Sequence, residues 1–547
     1  MKRTKISILA ACLALTASSG SHAQTTFTKI TNSPVATDAA NSAGAAWVDY
    51  NGDGNLDLYV SANDSGQNRL YRNDGHGVFT RVTDVPFVNI GPYGYSASWA
   101  DFDNDGRMDL FVGGLSGPSL LFRQQADGTF AQSTLATVSA FGAAWADYDI
   151  DGLLDLVVSD TSQNILWHNN GQGGLSGVRN IPIDKDATIL WADIDGDGDM
   201  DLLAAKGSSG GSHLYRNDGG GIFTSITGGQ LVSRCTSVTG AAWGDYDNDG
   251  FPDLFLARGD FGSSGTSFQS FLFHNNGNTT FTQVQQSPFT TDAGSAVECS
   301  WADYDNDGWL DLFVSEGNGT VNRLYHNNGD GTFSRVLSGP IASDIGRCRG
   351  CSWGDYDRDG FLDLFVATFV NGAPGPNYLY HNDGNSNAWI TIKCVGTRSN
   401  RSAIGAKVRL KATISGKTFW QLREINTGNG FAANPLEIHF GLGDATNVET
   451  LRIEWPSGTV QQFQNVAAKQ YLTITEPSLL HINSTNGRPQ LTLRGGRGFQ
   501  YNIESSTNLM AWSLHGTLTV TNFNGTALMV DTNSPASPHR FYRAMQQ

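Results

Sequence analysis

Asp49-Tyr50-Asn51-Gly52-Asp53-Gly54-Asn55-Leu56-Asp57 is the first of seven acidic loops in this 547-residue chain, and their recurrence decides the fold. The other copies start at Asp101, Asp147, Asp193, Asp245, Asp303 and Asp355, at steps of 46, 52 or 58 residues. Each reads Asp-x-Asp/Asn-x-Asp-Gly-x-x-Asp. A Trp stands two residues before each loop, at Trp47, Trp99, Trp145, Trp191, Trp243, Trp301 and Trp353. A Leu follows each ninth position. A period of this length, with strand-like residues around it, signals propeller blades or solenoid units.

The first, third, fifth and ninth positions are oxygen donors in every copy. They are Asp49, Asn51, Asp53 and Asp57; Asp101, Asp103, Asp105 and Asp109; Asp147, Asp149, Asp151 and Asp155; Asp193, Asp195, Asp197 and Asp201; Asp245, Asp247, Asp249 and Asp253; Asp303, Asp305, Asp307 and Asp311; Asp355, Asp357, Asp359 and Asp363. So many carboxylates at short range repel one another, so a cation is expected among them. Calcium fits best, because it takes about 6–8 oxygens in a flexible cage, and about seven Ca2+ are expected per chain. In the first loop the carbonyl of Asn55 would complete the set, with Asp57 bidentate. Mg2+ demands a tighter octahedron. Zinc is disfavoured because no loop contains His or Cys. Gly at position six suits a sharp turn. An EF-hand would need Glu at position twelve and flanking helices. Here position twelve is Val60, Val112, Val158, Ala204, Leu256, Val314 or Val366, so the loop runs into a buried strand. The bland alternative, metal-free Asp-Gly hairpins, accommodates one such loop far more easily than seven.

A second motif trails each loop, as in Leu70-Tyr71-Arg72-Asn73-Asp74-Gly75 and Leu324-Tyr325-His326-Asn327-Asn328-Gly329. Asn-Asp-Gly and Asn-Asn-Gly read as hairpin turns. Alternating stretches such as Phe79-Thr80-Arg81-Val82 follow and read as strands. Each repeat is therefore four strands, the composition of a propeller blade. Sixty-five glycines, about 12% against a typical ~7%, fit the many turns. Phe27-Thr28-Lys29-Ile30 precedes the first loop as an orphan fourth strand, and no Phe-Thr strand follows Gly384. The N-terminal strand, residues 26–31, is expected to complete blade seven and close the ring. A β-solenoid would not explain that complementary split. Beyond Asn387 the acidic loops vanish, Lys and Arg become frequent, and alternation continues. The fold class expected is all-β: a seven-bladed β-propeller (residues 24–384) followed by two small β-sandwich-like domains (387–476 and 478–547).

Met1–Ala23 reads as a secretory signal, with Lys2, Arg3 and Lys5 before the apolar Ile6–Leu15. No later segment approaches the 18 apolar residues of a membrane span, so no transmembrane anchor is expected. The expected compartment is secreted, periplasmic or cell-surface. The formal charge of −17 is dominated by the loops, which hold 27 of the 52 acidic residues. Loss of the leader and gain of seven Ca2+ would leave about −6, an ordinary surface charge. Without a basic patch, nucleic-acid binding is disfavoured and no nucleic-acid partner is expected. Cys235, Cys299, Cys348, Cys351 and Cys394 remain after leader removal. An odd count leaves at least one unpaired thiol. Cys299–Cys351 and Cys348–Cys351 are the plausible bridges, with the pairing open.

The loops, with their Trp and Leu flanks, resemble the FG-GAP/VCBS repeats of integrin-α-like propellers. Residues 387–476 resemble the ASPIC/UnbV module, through Gly396-Thr397-Arg398-Ser399-Asn400-Arg401-Ser402-Ala403-Ile404-Gly405-Ala406, His439-Phe440-Gly441-Leu442-Gly443 and Trp455-Pro456-Ser457-Gly458. The pairing is the layout of bacterial proteins similar to cartilage acidic protein. That resemblance implies calcium binding on one face, extracellular interaction on the other, and no established catalysis. Asn51 is the one departure from all-Asp ligands. The tail, including Tyr501-Asn502-Ile503-Glu504, resembles short terminal β modules of secreted proteins.

Catalysis finds little support in the residues. His168, His274, His326 and His381 share one repeat position with Arg72, Arg123 and Arg216, which reads as blade packing or a surface turn. His76, His213, His439, His481, His515 and His539 stand near no nucleophile motif. Arg258-Gly259-Asp260 invites an integrin reading but arises easily by chance in a Gly- and Asp-rich chain. The expected function is a secreted calcium-binding scaffold that meets an extracellular protein or a surface glycan. The alternatives are a propeller-type polysaccharide lyase or hydrolase, and a purely structural adhesin.

Overall fold

The computed structural model describes residues 25–547 apart from 63–66, 91–93, 95, 115–116, 137–139, 161–164, 180–186, 207–211, 235, 261–266, 286, 370–374, 430, 486–487, 522–524 and 533–539. The leader Met1–Ala23, Cys235 and His539 therefore lie outside the described residues. Seven blades of four antiparallel strands follow one another along the chain, and the sheet of blade 1 carries a fifth, parallel strand from the module beyond the propeller. In blade 1, Ser42–Val48 pairs with Asp57–Ala62, then Arg69–Asn73, then Phe79–Val82. The innermost strands touch those of the neighbouring blades around a closed circuit, and blade 1 meets blade 7. Second strands such as Asp311–Glu316 are buried throughout, because blades pack on both their faces. That is why they read as apolar runs and not as alternation.

Blade 7 takes its fourth strand from the N-terminus. Phe27–Ile30 lies antiparallel to Tyr378–Asn382, with Phe27 opposite Asn382 and Ile30 opposite Leu379. Phe27 also packs against Tyr304 and Trp353. This strand exchange ties the beginning of the ring to its end and removes two free edges.

The blade Trp residues join blades. The indole N–H groups of Trp47, Trp145, Trp191 and Trp301 donate to carbonyls on the previous blade's innermost strand, Ser352, Ser98, Ala144 and Ala242. Trp47 stacks on Tyr356 and Trp145 on Phe102, the second residues of the preceding loops.

The Asn of the second motif ends the third strand and forms the hairpin turn read from the sequence, its Oδ1 accepting from the Gly two residues on, as Asn73 does from Gly75 N, and it has a second duty between blades. Only the Gly two residues on takes the left-handed backbone, as at Gly75 (φ 101°). Asn275 is fully buried, and its Nδ2 donates to Ile194 O at 2.8 Å in the preceding blade and to Pro252 O at 3.1 Å. Asn73, Asn169, Asn217, Asn327 and Asn382 repeat this bond to the preceding blade. Gln124 reaches Tyr50 O in the same way in blade 2. Asn275→Ala strands two buried carbonyls. It should cost about 3 kcal/mol in a denaturant titration; a loss below ~0.5 kcal/mol would contradict the role.

After the propeller come two pairs of facing sheets. The first pair joins Glu437–Gly443, Ala388–Val395 and Gln470–Thr475 in one sheet, and Lys417–Glu424, Lys407–Ile414, Asn447–Glu454 and Val460–Ala467 in the other. The second pair, residues 479–546, has three strands in each sheet. A segment of the first module enters the ring. Ala432–Ala433 pairs in parallel with Ala45–Ala46 of blade 1. Asn429 donates to Glu298 of blade 6, Ser352 of blade 7 donates to Ala433 O, and Thr427 accepts from Trp145 N of blade 3. Residues 427–429 and 431–433 thus lie among the innermost strands as a plug.

The four described cysteines, Cys299, Cys348, Cys351 and Cys394, are buried free thiols, so the proposed bridges among them are not made. Burial pushes the Cys348 and Cys394 thiols up to about 12, which makes them inert packing residues. Arg258-Gly259-Asp260 is not presented as a free loop. Arg258 donates to Thr236 O and Gln269 O, and Asp260 accepts from Ser295 Oγ.

Candidate metal centres on the capped face of the propeller

Each acidic loop joins a blade's first strand to its second, so all seven open on one face. Two positions in every loop adopt the left-handed backbone. One is the sixth, always Gly, as at Gly54 (φ 88°) and Gly308 (φ 96°). The other is the fourth, which the sequence reading missed: Gly52, Asn104, Ile150, Gly196, Asn248, Asn306 and Arg358. Gly and Asn tolerate that conformation, while a β-branched residue does not. The fourth side chain also ties loops together. Asn104 Nδ2 donates to Gly152 O, Asn248 to Gly308 O and Asn306 to Gly360 O, each the sixth residue of the next loop. Ile150 (φ 57°, 41% exposed) is strained and can make no such bond. Ile150→Asn should therefore stabilise the protein by about 1 kcal/mol. A lower denaturation midpoint would contradict this account.

Within a loop the main chain orders the carboxylates. Asp101 accepts from the amides of Asp105 (2.9 Å) and Gly106 (2.6 Å). The ninth residue, Asp109, accepts from Gln124 N and Phe102 N. The third residue is left with an oxygen to spare. Asp149, Asp195, Asp247 and Asp357 each keep Oδ1 buried without a hydrogen-bond partner. Asp101, Asp103 and Asp109 gather their oxygens within 4.8 Å of one another, as donors to a common ion would.

The electrostatics point the same way. Burial, opposed by amide bonds but reinforced by neighbouring aspartates, pushes Asp57 and Asp201 up to about 8 and Asp155 to about 9. Burial and then the charge of Asp103 push Asp101 up to about 8. Asp147, Asp245 and Asp363 are raised well above the carboxylate range for the same reasons. Without a cation these loops cannot hold all their charges at neutral pH. The donor set, hard oxygens in a flexible loop, suits calcium.

The histidines shared with arginine across the repeats do pack, His168, His326 and His381 against Tyr148, Tyr304 and Tyr356, but packing is not their whole role. They reach the loops. His168 Nδ1 lies 3.1 Å from Asp155, His274 Nδ1 3.1 Å from Asp247, and His326 Nδ1 3.2 Å from Asp311. His381 Nδ1 lies 3.1 Å from Asp363. In blade 2, Arg123 pairs with Asp103 instead. Their hydrogen bonds to Asp253 and Asp363 push His274 and His381 up to about 9. In four loops the histidine nitrogen lies within 4.8 Å of two loop carboxylate oxygens, in the groups Asp149–Asp155–His168, Asp247–Asp249–His274, Asp305–Asp307–His326 and Asp357–Asp359–His381. The interchange of Arg and His at one position was the available signal, since both are cations beside carboxylates.

The first C-terminal module covers this face, which sequence reasoning also missed. Lys393 Nζ lies 3.3 Å from Asp49 Oδ2, and Lys407 pairs with Asp193. Gly441 N donates to Asp303 Oδ2 at 3.1 Å, and Tyr471 donates to Asp355. Ser402 Oγ accepts from Asp101 N. The buried guanidinium of Arg423 faces Asp303 and Asp245. Arg497 of the last module reaches Asp103. The rise in Lys and Arg after Asn387 was the one sequence trace of this cap. Loop 1 is the least covered, with Asn51, Gly52, Asp53 and Gly54 all exposed.

Fold and loops together define a protein built on FG-GAP-like repeats, and the chain belongs to that family. The FG-GAP-like repeat matches residues 49–112, 101–158, 147–204, 193–256, 260–314 and 303–366, and the ASPIC and UnbV domain matches 396–481. Cartilage acidic protein 1 of Xenopus tropicalis is 26% identical over 304 residues, which is 54% of this chain and 45% of that protein. The Mus musculus protein of the same name is 28% identical over 279 residues, 49% of this chain and 41% of that protein. The aligned part is thus less than half the length of these relatives. Among solved structures, an Agrocybe aegerita lectin that recognises non-reducing terminal N-acetylglucosamine aligns at 18% identity and a TM-score of 0.39, covering 63% of this chain and 86% of that one.

Proposed function

We propose that this chain is a secreted, calcium-loaded propeller scaffold that binds an extracellular protein or a surface glycan. The observation that carries the metal assignment is the set of seven loops whose carboxylates converge on one face with their pKa values raised by burial and mutual repulsion. A cation removes that penalty. Its role is structural: each loop supplies its own ligands, and the module covers the loops. Secretion fits calcium supply and the leader-like Met1–Ala23. The kinship with cartilage acidic protein 1, whose name places it in an extracellular tissue, supports the same compartment. No described helix is long and apolar enough to cross a membrane.

The test is a glycan array and a pull-down from envelope and matrix extracts, each run with calcium-loaded protein. Retention of a glycan or protein without its turnover is the expected result. Release of new reducing ends from a polysaccharide would overturn the scaffold reading in favour of a lyase or hydrolase.

A further inference from the structure

Loop 2, which starts at Asp101, differs from its counterparts in the charges set against it. Among the described residues, loops 3, 5, 6 and 7 each meet one histidine, and loops 1 and 4 each meet one lysine, Lys393 and Lys407. Loops 5 and 6 also share the guanidinium of Arg423. Loop 2 meets three arginines in direct ion pairs. Arg123 pairs with Asp103 Oδ2 and lies 3.7 Å from Asp105 Oδ2, and Arg107 pairs with Asp105 Oδ2. The third comes from the last module: Arg497 Nη1 lies 3.4 Å from Asp103 Oδ2 and donates to Asp103 O at 2.8 Å. Arg401 of the first C-terminal module stands behind them, its charge felt by Asp101 and Asp105. Its guanidinium lies over the Phe499 ring at 3.9 Å, and its main-chain N–H donates to Asn104 Oδ1 at 2.7 Å. The four carboxylates of loop 2 are thus balanced by four guanidinium groups.

The loop nonetheless keeps the shape of a cation site. Asp103 is 1% exposed, and its Oδ1 is buried without a hydrogen-bond partner. Asp101, Asp103 and Asp109 bring carboxylate oxygens within 4.8 Å of one another. A divalent ion held there would lie beside guanidinium charges that repel it. Such coupling is reciprocal: whatever the arginines take from the affinity of the loop for calcium, calcium takes from the hold of the arginines on the loop. Arg107 and Arg123 belong to blade 2 and stay with it. Arg497 belongs to a separate module, joined to the first through Pro477 and Ser478, so it can leave. We propose that loop 2 is a calcium-sensitive latch: it is the weakest of the seven calcium sites, and its filling loosens the last module from the propeller. The proposal rests on the calcium reading above and divides its sites by role. Six hold the ring, and one couples calcium to the docking of the last module.

The experiment takes the full chain at a free calcium level that fills the tight sites and titrates calcium upward by calorimetry. Hydrogen exchange over residues 495–499 is followed in parallel. The expected result is one further site, weaker than the rest by about tenfold or more, with exchange over 495–499 speeding up as it fills. Arg497→Gln should tighten that site about tenfold and leave exchange over 495–499 indifferent to calcium. Arg497→Lys keeps the charge and should stay close to the parent. Arg123→Gln removes a charge from the same carboxylate without touching the last module, and should tighten the site as well. Seven sites of like affinity, or a weak site that neither Arg497→Gln nor Arg123→Gln tightens, would overturn the latch and leave the calcium reading standing. So would exchange over 495–499 that ignores the filling of the weak site. Absence of calcium binding at every loop would overturn both.

Discussion

Calcium removal by chelator and desalting should lower the melting temperature by more than about ten degrees and open the loops between Ala45 and Phe365 to proteolysis. A single site filled at 100 times its Kd contributes about 2.7 kcal/mol. Several such sites on one ring amount to a whole domain's usual stability, about 5–15 kcal/mol. The effect should also depend on pH in a particular direction. In the metal-free fold, Asp57, Asp201 and Asp155 hold their protons up to about 8, 8 and 9, against about 3.9 for an unfolded aspartate. Their contribution to stability is complete below pH ~4 and is lost as pH rises through 8 to 9. The chelated protein should therefore melt lower at pH 8.5 than at pH 5.5, while the calcium-loaded protein should not. Melts at the two pH values check this. A chelated protein that gains stability on going from pH 5.5 to 8.5 would contradict the account, as would indifference to chelation.

Deletion of residues 24–32 should produce the second large effect. The strand Phe27–Ile30 closes blade 7 against Tyr378–Asn382, and Lys29 pairs with Asp344 at 2.7 Å. Its removal bares a sheet edge and the aromatic contacts of Tyr304 and Trp353. A drop of ten degrees or more is expected, along with concentration-dependent association through the open edge. A synthetic peptide spanning residues 24–33, added in trans, should restore much of the loss. An unchanged melting temperature in the truncated chain would show that the ring does not depend on this closure.

Much of the ring was legible because each blade repeats its own local rules. Trp, acidic loop, apolar second strand and a third strand ending in Asn recur at near-constant spacing, so seven weak signals reinforce one another. What stayed hidden depends on partners far away in sequence. Asn73 reads as a turn residue beside Asp74 and Gly75, and it is one, but its amide also donates to the carbonyl of Tyr356 in another blade, which no local pattern announces. His274 looked like a packing residue because the carboxylates it meets, Asp247 and Asp253, belong to another strand and loop. The fourth loop position, with Gly, Asn, Ile and Arg among its occupants, offered no single residue type to betray its left-handed backbone. The cap was least legible of all. Lys393, Lys407 and Tyr471 occupy ordinary strand positions, and only the assembled fold sets them against Asp49, Asp193 and Asp355.

The most direct test of the calcium assignment is the number of ions bound. Native mass spectrometry of the protein after dialysis against calcium buffer, with elemental analysis beside it, reads that number. Seven loops with near-complete oxygen sets predict close to seven Ca2+ per chain, falling by one in Asp305→Ala, with the remaining loops still filled. Two ions or fewer, or a count unchanged by Asp305→Ala, would show that the loops are not calcium sites.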